Sequence, residues 1–138
     1  MSFMSQPTSK DIEKDKLERF NRVLAAIKAL ERQQKQVLKQ GELAPEDSWV
    51  ARYQVRQNTK KYWYYKLQAS RPAFKRATSD KLSKYKHLGK AGSVAHIDAM
   101  MSVIRRSIFD ELQKAIDVLD DCLLDITGSE QEEDESQD

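Results

Sequence analysis

The chain has 138 residues, 39% of them hydrophobic and 33% charged, with a formal net charge of +2 and a mean hydropathy of −0.77. Such a length allows one domain with tails and a modest core. The lone Cys122 excludes an internal disulfide framework, and no apolar run approaches the ~18 residues a membrane-spanning helix needs.

The first ten residues hold no apolar stretch of the kind that fills a signal peptide, so no leader is expected, and a single thiol suits a reducing, cytoplasmic setting. Residues 1–9 are polar and are expected to be disordered. Ser9 stands where an N-cap belongs, with Asp11 and Glu13 near the positive end of the helix that follows. From Lys10 to Gln40 there is no Gly or Pro, and Leu17, Phe20, Val23 or Leu24, Ile27, Leu30, Gln34, Val37 and Leu38 recur at steps of three and four. This spacing predicts an amphipathic helix with a heptad-like seam, in which the polar Gln34 can fix register. Gly41 and Pro45 mark its end.

The period then changes to two. Trp49, Ala51, Tyr53 and Val55 alternate with Val50, Arg52, Gln54 and Arg56, and Tyr62 and Tyr64 alternate with Trp63, Tyr65 and Leu67. Two strands joined through Gln57-Asn58-Thr59-Lys60 are predicted. Residues 69–83 read as a basic loop around Pro72, and residues 84–88 as a third strand stopped by Gly89. Ser93 caps a second helix, whose stripe is Ile97, Met101, Ile104, Ile108, Leu112, Ala115, Leu119, Cys122 and Ile126, widened by Met100, Phe109, Ile116 and Leu123. This helix is expected to run to about Ile126 and to end at Gly128. Residues 128–138 are expected to be a disordered acidic tail, because negative charge opposes the dipole at a helix C-terminus. The tail either solubilises the chain or competes with an anionic ligand for its basic part. The fold class is therefore α+β: a long N-terminal helix, a basic antiparallel β-hairpin or three-stranded meander, and a long C-terminal helix, in one domain over 10–127.

Charge is distributed unevenly. Between Val50 and Lys90 lie twelve Lys and Arg against the single acid Asp80, together with Tyr53, Tyr62, Trp63, Tyr64, Tyr65, Phe74 and Tyr85. A bland surface mixes both signs, whereas cations interleaved with aromatics suit a phosphate backbone. Alternation puts Val50, Arg52, Gln54 and Arg56 on one strand face, where the two arginines can track phosphates. The aromatic residues on the other face either pack on the long helix or, if exposed, stack on bases. The residues expected to contact nucleic acid are Arg52, Arg56, Lys60, Lys61, Lys66, Arg71, Lys75, Arg76, Lys84, Lys86 and Lys90. Tyr53, Tyr62 and Tyr64 are the candidates for base stacking.

Other constellations are weaker. Residues 86–93 resemble the end of a phosphate-binding loop, but Lys84 stands where the first glycine belongs and Ala91 where Ser or Thr belongs. What remains is a single backbone phosphate contact at Gly92 and Ser93, or an ordinary strand-to-helix turn. Arg105 and Arg106 flank the apolar stripe, positioned for phosphate or, the preferred reading, for ion pairs with Glu13, Glu18 or Glu31. His87, His96 and Cys122 have no metal-ligand spacing, and no catalytic arrangement can be built from so few candidates, so neither a cofactor nor an enzyme is expected.

Trp-Val-Ala-Arg-Tyr at 49–53, the run Tyr62-Trp63-Tyr64-Tyr65, and residues 84–90 ahead of a helix resemble the sheet-plus-helix of AP2 and integrase amino-terminal DNA-binding domains. The same outline resembles small proteins of bacterial mobile elements and phages that place a tyrosine-rich hairpin ahead of an Arg-Arg helix. The resemblance covers residues 48–110. It implies a sheet set in the major groove with Arg52, Arg56, Lys61 and Lys66 facing DNA. The basic segment and the resemblance lead to one expectation: a non-enzymatic nucleic-acid-binding protein, for DNA rather than RNA, whose helices form a homodimer or higher homo-oligomer. The alternative is a protein-interaction adaptor or assembly subunit whose Tyr/Trp hairpin docks an acidic partner. A membrane surface is not expected to be the partner, because the cations sit on a sheet rather than along an amphipathic helix.

Overall fold

The long Gly- and Pro-free run does form a helix, α1 (Ser9–Gln40), but its cap is Thr8 rather than Ser9. A computed structural model of the chain describes residue 6 and residues 8–135, with side chains to residue 128. The disorder expected of residues 1–9 and of the last three tail residues falls largely outside that range. The Asp11 N–H donates to Thr8 Oγ1 at 3.2 Å, and the Thr8 N–H and hydroxyl donate back to Asp11 Oδ2 at 3.1 and 2.8 Å. This reciprocal box satisfies donors that a helix start leaves open, and a lone Ser9 would satisfy only one of them. Gln40 ends α1, and Gly41 follows as its position predicts.

After α1 come β1 (Ser48–Gln57), β2 (Lys60–Ala69), the short β3 (Phe74–Lys75) and β4 (Leu82–Ser83), β5 (Tyr85–Lys90) and α2 (Val94–Glu135). The architecture is α+β, with an antiparallel three-stranded sheet ordered β1-β2-β5 between two long helices in sequence. Two predicted boundaries move. The basic loop at 69–83 contains a two-stranded ladder, Phe74 opposite Ser83 and Lys75 opposite Leu82. The helix α2 runs through Gly128 to Glu135. A glycine inside a helix costs only about 1 kcal/mol relative to alanine, too little to stop a helix this long.

Contacts group the chain into two compact units, residues 36–110 and residues 1–35 with 111–138. In the second of these, α1 and α2 run antiparallel. Gln34 and Gln113 meet at one end, through Nε2 to Oε1 at 2.9 Å, and Leu17 and Phe20 line a pocket with Ile126 near the other. Ile27 and Ile116 are buried there, and Leu112, Ala115, Leu119, Cys122 and Ile126 are half-buried. Gln34 is buried within this seam and is paired to Gln113, which in turn donates to Asp117 Oδ1 at 2.9 Å.

The unit of residues 36–110 is a sheet on a helix. Tyr53 pairs with Tyr64 and Val50 with Leu67, and a turn of Asn58 and Thr59 joins the strands, with Asn58 at φ 57°. Asn tolerates this left-handed conformation better than most residues. Leu67, Leu88 and Ala99 form the buried cluster, with Val50, Tyr65, Phe74 and Val103 packed on it. On α2 it is Ala99 and Val103 that pack against this cluster. The predicted stripe residues Ile97, Met101, Ile104 and Ile108 are therefore left 46–48% exposed.

Strand β5 passes through Gly89 rather than stopping before it. Between the pairs Lys66–His87 and Tyr65–Gly89 lies one extra residue, Leu88. This bulge turns the Leu88 side chain into the cluster under the sheet, and Gly89 takes φ 86°, which an L side chain rarely adopts. Arg105 and Arg106 do not pair with the acids of α1. Their Nε atoms donate to the carbonyls of Glu42 and Ala44 at 2.9 and 2.7 Å, and Arg106 also reaches Asp110 at 3.5 Å. They fasten the segment after Gly41 to α2. The Ala44 N–H adds a bond of 3.0 Å to the Ser102 carbonyl.

Candidate nucleic-acid interface

The pleat sorts the predicted residues onto two faces. Val50, Tyr65, Leu67 and Leu88 turn toward α2, and Tyr65 stacks on His96 with ring centroids 4.0 Å apart. By alternation Arg52, Gln54, Arg56, Lys61 and Trp63 share that side, beyond the buried cluster and exposed. The Arg52 guanidinium lies 4.0 Å from the centre of the Trp63 ring. The predicted row Arg52–Arg56 thus belongs to the face whose other end packs on the helix.

The opposite face carries the rings. Tyr53 and Tyr64 are cross-strand partners, stacked at 6.1 Å with a 27° interplanar angle. His87 on β5 stands edge-on to Tyr53 at 5.9 Å and to Tyr85 at 5.4 Å. Its Nδ1 shares a hydrogen bond of 2.9 Å with the Tyr53 hydroxyl. Lys66 Nζ sits 5.6 Å from the Tyr53 ring centre and 5.3 Å from that of Tyr85, and Lys90 Nζ sits 5.1 Å from that of Tyr62. Each such cation–π contact is worth only about 0.5–1 kcal/mol at an exposed site, but it holds an ammonium group among the rings.

All three predicted stacking residues, Tyr53, Tyr62 and Tyr64, fall on this face, as do Lys66 and Lys90. The face also takes in Tyr85, His87 and Trp49, which the expected stacking set lacks. Tyr85 and His87 carry the same i, i+2 signal as the other rings, masked by the lysines between and around them. Lys60 marks the hairpin tip, while Arg71, Lys75, Arg76 and Lys84 surround the β3–β4 ladder and Lys86 lies on the α2 side of β5. All of these cations are exposed except Lys66, which is half-buried. Among the described residues, none of the cations between Arg52 and Lys90 forms an ion pair. The positive field of the segment is therefore open to a ligand.

Gly92 and Ser93 are less free. The Gly92 N–H donates to His96 Nδ1 at 3.0 Å and the Ser93 N–H to the Lys90 carbonyl at 3.1 Å. Ser93 Oγ accepts from the His96 N–H at 3.2 Å and donates to the Leu88 carbonyl at 2.9 Å. Ser93 is an N-cap as predicted, and both backbone donors proposed for a phosphate are already engaged within the chain. Among the described residues, no three His, Cys, Asp or Glu side chains gather as a metal site requires, and no helix is long and apolar enough to cross a membrane. No family model, no curated protein sequence and no solved structure matches the chain.

Proposed function

We propose that the chain is a non-enzymatic nucleic-acid-binding protein that works as a dimer. One observation carries the reading: the sheet face turned away from α2 presents Tyr64, Tyr53, His87 and Tyr85 as a chain of ring contacts, with Lys66 held over Tyr53 and Tyr85 and Lys90 over Tyr62. Unpaired cations of the hairpin tip and the 70–84 region surround it. Ring faces take nucleobases and ammonium groups take phosphates, so one surface offers both halves of a polynucleotide contact. DNA is the first ligand to test.

Dimerisation is supported by the exposed residues of α2. Ile97, Met101, Ile104 and Ile108 follow steps of four, three and four, the spacing of a coiled-coil seam. In an antiparallel pair of α2 helices, Met101 would meet Ile104 of a second copy and Ile97 would meet Ile108. Asp98 and Arg105 flank the seam and would oppose one another twice across the two-fold axis. This complementarity favours a second copy of the chain over an unrelated helix.

The test is fluorescence anisotropy with labelled oligonucleotides at two salt concentrations. Micromolar or tighter binding is expected, falling steeply as salt rises. Lys66→Gln/Lys90→Gln should weaken it and flatten the slope of log affinity against log salt by roughly 0.7–0.9 for each phosphate that is no longer neutralised. Absence of binding at low salt would overturn the reading.

A further inference from the structure

We infer that the ligand of the aromatic face is a single strand rather than a duplex. The inference rests on the nucleic-acid reading and narrows it. Its basis is where rings and charges lie on the two sides of the sheet. On the face away from α2, Trp49, Tyr53, Tyr62, Tyr64, Tyr85 and His87 share one side by alternation and pairing. Within that field only Lys66 and Lys90 carry charge, with Lys60 at the tip. The remaining cations of the basic segment lie on the other side of the sheet or around the β3–β4 ladder.

A duplex presents the reverse pattern. Its base faces are stacked inside, its outer ridges are phosphate, and its groove floor offers base edges to hydrogen-bonding side chains. A sheet reading a groove needs Arg, Lys, Asn or Gln at its centre. Here the central strand carries Lys66 and Gln68, but the Lys66 ammonium is held against the Tyr53 and Tyr85 rings, and Trp49, Tyr53, Tyr64, Tyr85 and His87 surround the two polar side chains with ring surface, which a duplex cannot use for stacking. An unpaired strand exposes a π-face on every base, and an aromatic platform with cations set among and around its rings suits it whatever the sequence.

The rings are also held in place before a ligand arrives. The Tyr53 hydroxyl is tied to His87, the His87 ring stands edge-on to both Tyr53 and Tyr85, and Lys66 bridges the last two. Little side-chain freedom is left to lose on binding, as a stacking surface requires. Tyr85 is 47% exposed, so its ring is open to a base.

The experiment compares one labelled sequence as single-stranded DNA, as single-stranded RNA and as duplex DNA, by anisotropy at one fixed salt concentration, on the full chain. At least one single strand should bind tenfold or more tightly than the duplex. Tyr85→Ala should weaken single-strand binding by about fivefold or more while leaving duplex binding within twofold, and Tyr85→Trp should restore it. Circular dichroism and thermal unfolding of each variant confirm that the fold is kept. Duplex binding as tight as or tighter than both single strands would overturn this inference and leave the nucleic-acid reading standing. A single-strand preference untouched in Tyr85→Ala would also overturn it, since the choice would then be made elsewhere. Failure of all three to bind would overturn both.

Discussion

At the first turn of α1, Thr8 and Asp11 close a box whose charge is held by hydrogen bonds from the Thr8 side chain and then from its backbone N–H. These bonds hold the Asp11 carboxyl below its ordinary value. The sign follows from linkage: a carboxyl lowered in the folded state adds stability above its ordinary pKa and loses that contribution as the pH falls through the lowered value. A titration followed by NMR should place Asp11 below an ordinary aspartate, and Thr8→Ala should return it toward that ordinary value. An unchanged Asp11 in Thr8→Ala would show that the box is not what holds the charge. Single residues are the hardest scale to read from a sequence. Thr8 is one residue from the Ser9 expected to cap, and both are good caps by type, so only the geometry of the chain entering the helix separates them. The ion pairs expected of Arg105 and Arg106 fail for a related reason. The real partners are carbonyl oxygens of residues 42 and 44, and every residue has a carbonyl, so no side-chain pattern announces such a bond.

Elements are more legible, because periodicity is a property of many residues at once. The two long helices, the antiparallel pairing of β1 with β2 and the Ser93 cap all follow from spacing and local chemistry. The third strand is legible but its end is not, since a bulge that accommodates Gly89 depends on the neighbour across the sheet. Gln34 offers a test at this scale. It lies buried at the point where α1 meets Gln113 of α2. Gln34→Ala removes the bond to the exposed Gln113 amide, which water can then serve, and should destabilise the chain by about 0.5–1.5 kcal/mol in urea unfolding. A double-mutant cycle with Gln113→Ala should show coupling, whereas additive losses would mean that the two amides do not act together. Gln34→Leu/Gln113→Leu should recover stability and, by removing the polar layer, broaden the set of oligomers seen by sedimentation.

For the molecule as a whole, a net charge of +2 hides a strongly basic middle segment, and the exposed α2 seam hides within a stripe that reads as ordinary core. The sequence marks Ile97, Met101, Ile104 and Ile108 as apolar at helical spacing, and nothing in that pattern says whether the sheet will lie on them. The sheet lies instead on Ala99 and Val103, about a third of the way round the helix or more from the seam, at ~100° per residue. A single large apolar side chain at the surface is ordinary, but a row of four is not. Ile104→Glu should shift the chain to monomer in sedimentation equilibrium while leaving its circular dichroism unchanged. A dimer that persists would place the contact on another surface. If the monomeric variant still binds nucleic acid, but more weakly and without cooperativity, the gain of joining two faces is avidity, set by the geometry of the pair.

The two tryptophans give this architecture a spectroscopic consequence. Trp49 and Trp63 are each 45% exposed and lie on opposite sides of the same hairpin. Trp49 belongs with the rings away from α2, and Trp63 lies under the Arg52 guanidinium on the other side. Each indole is thus a fluorophore confined to one side of the sheet. With Trp63→Phe, the remaining emission reports only the aromatic side. With Trp49→Phe, it reports only the arginine side. Whichever emission a bound ligand quenches names the side it occupies, with no external label attached to either molecule.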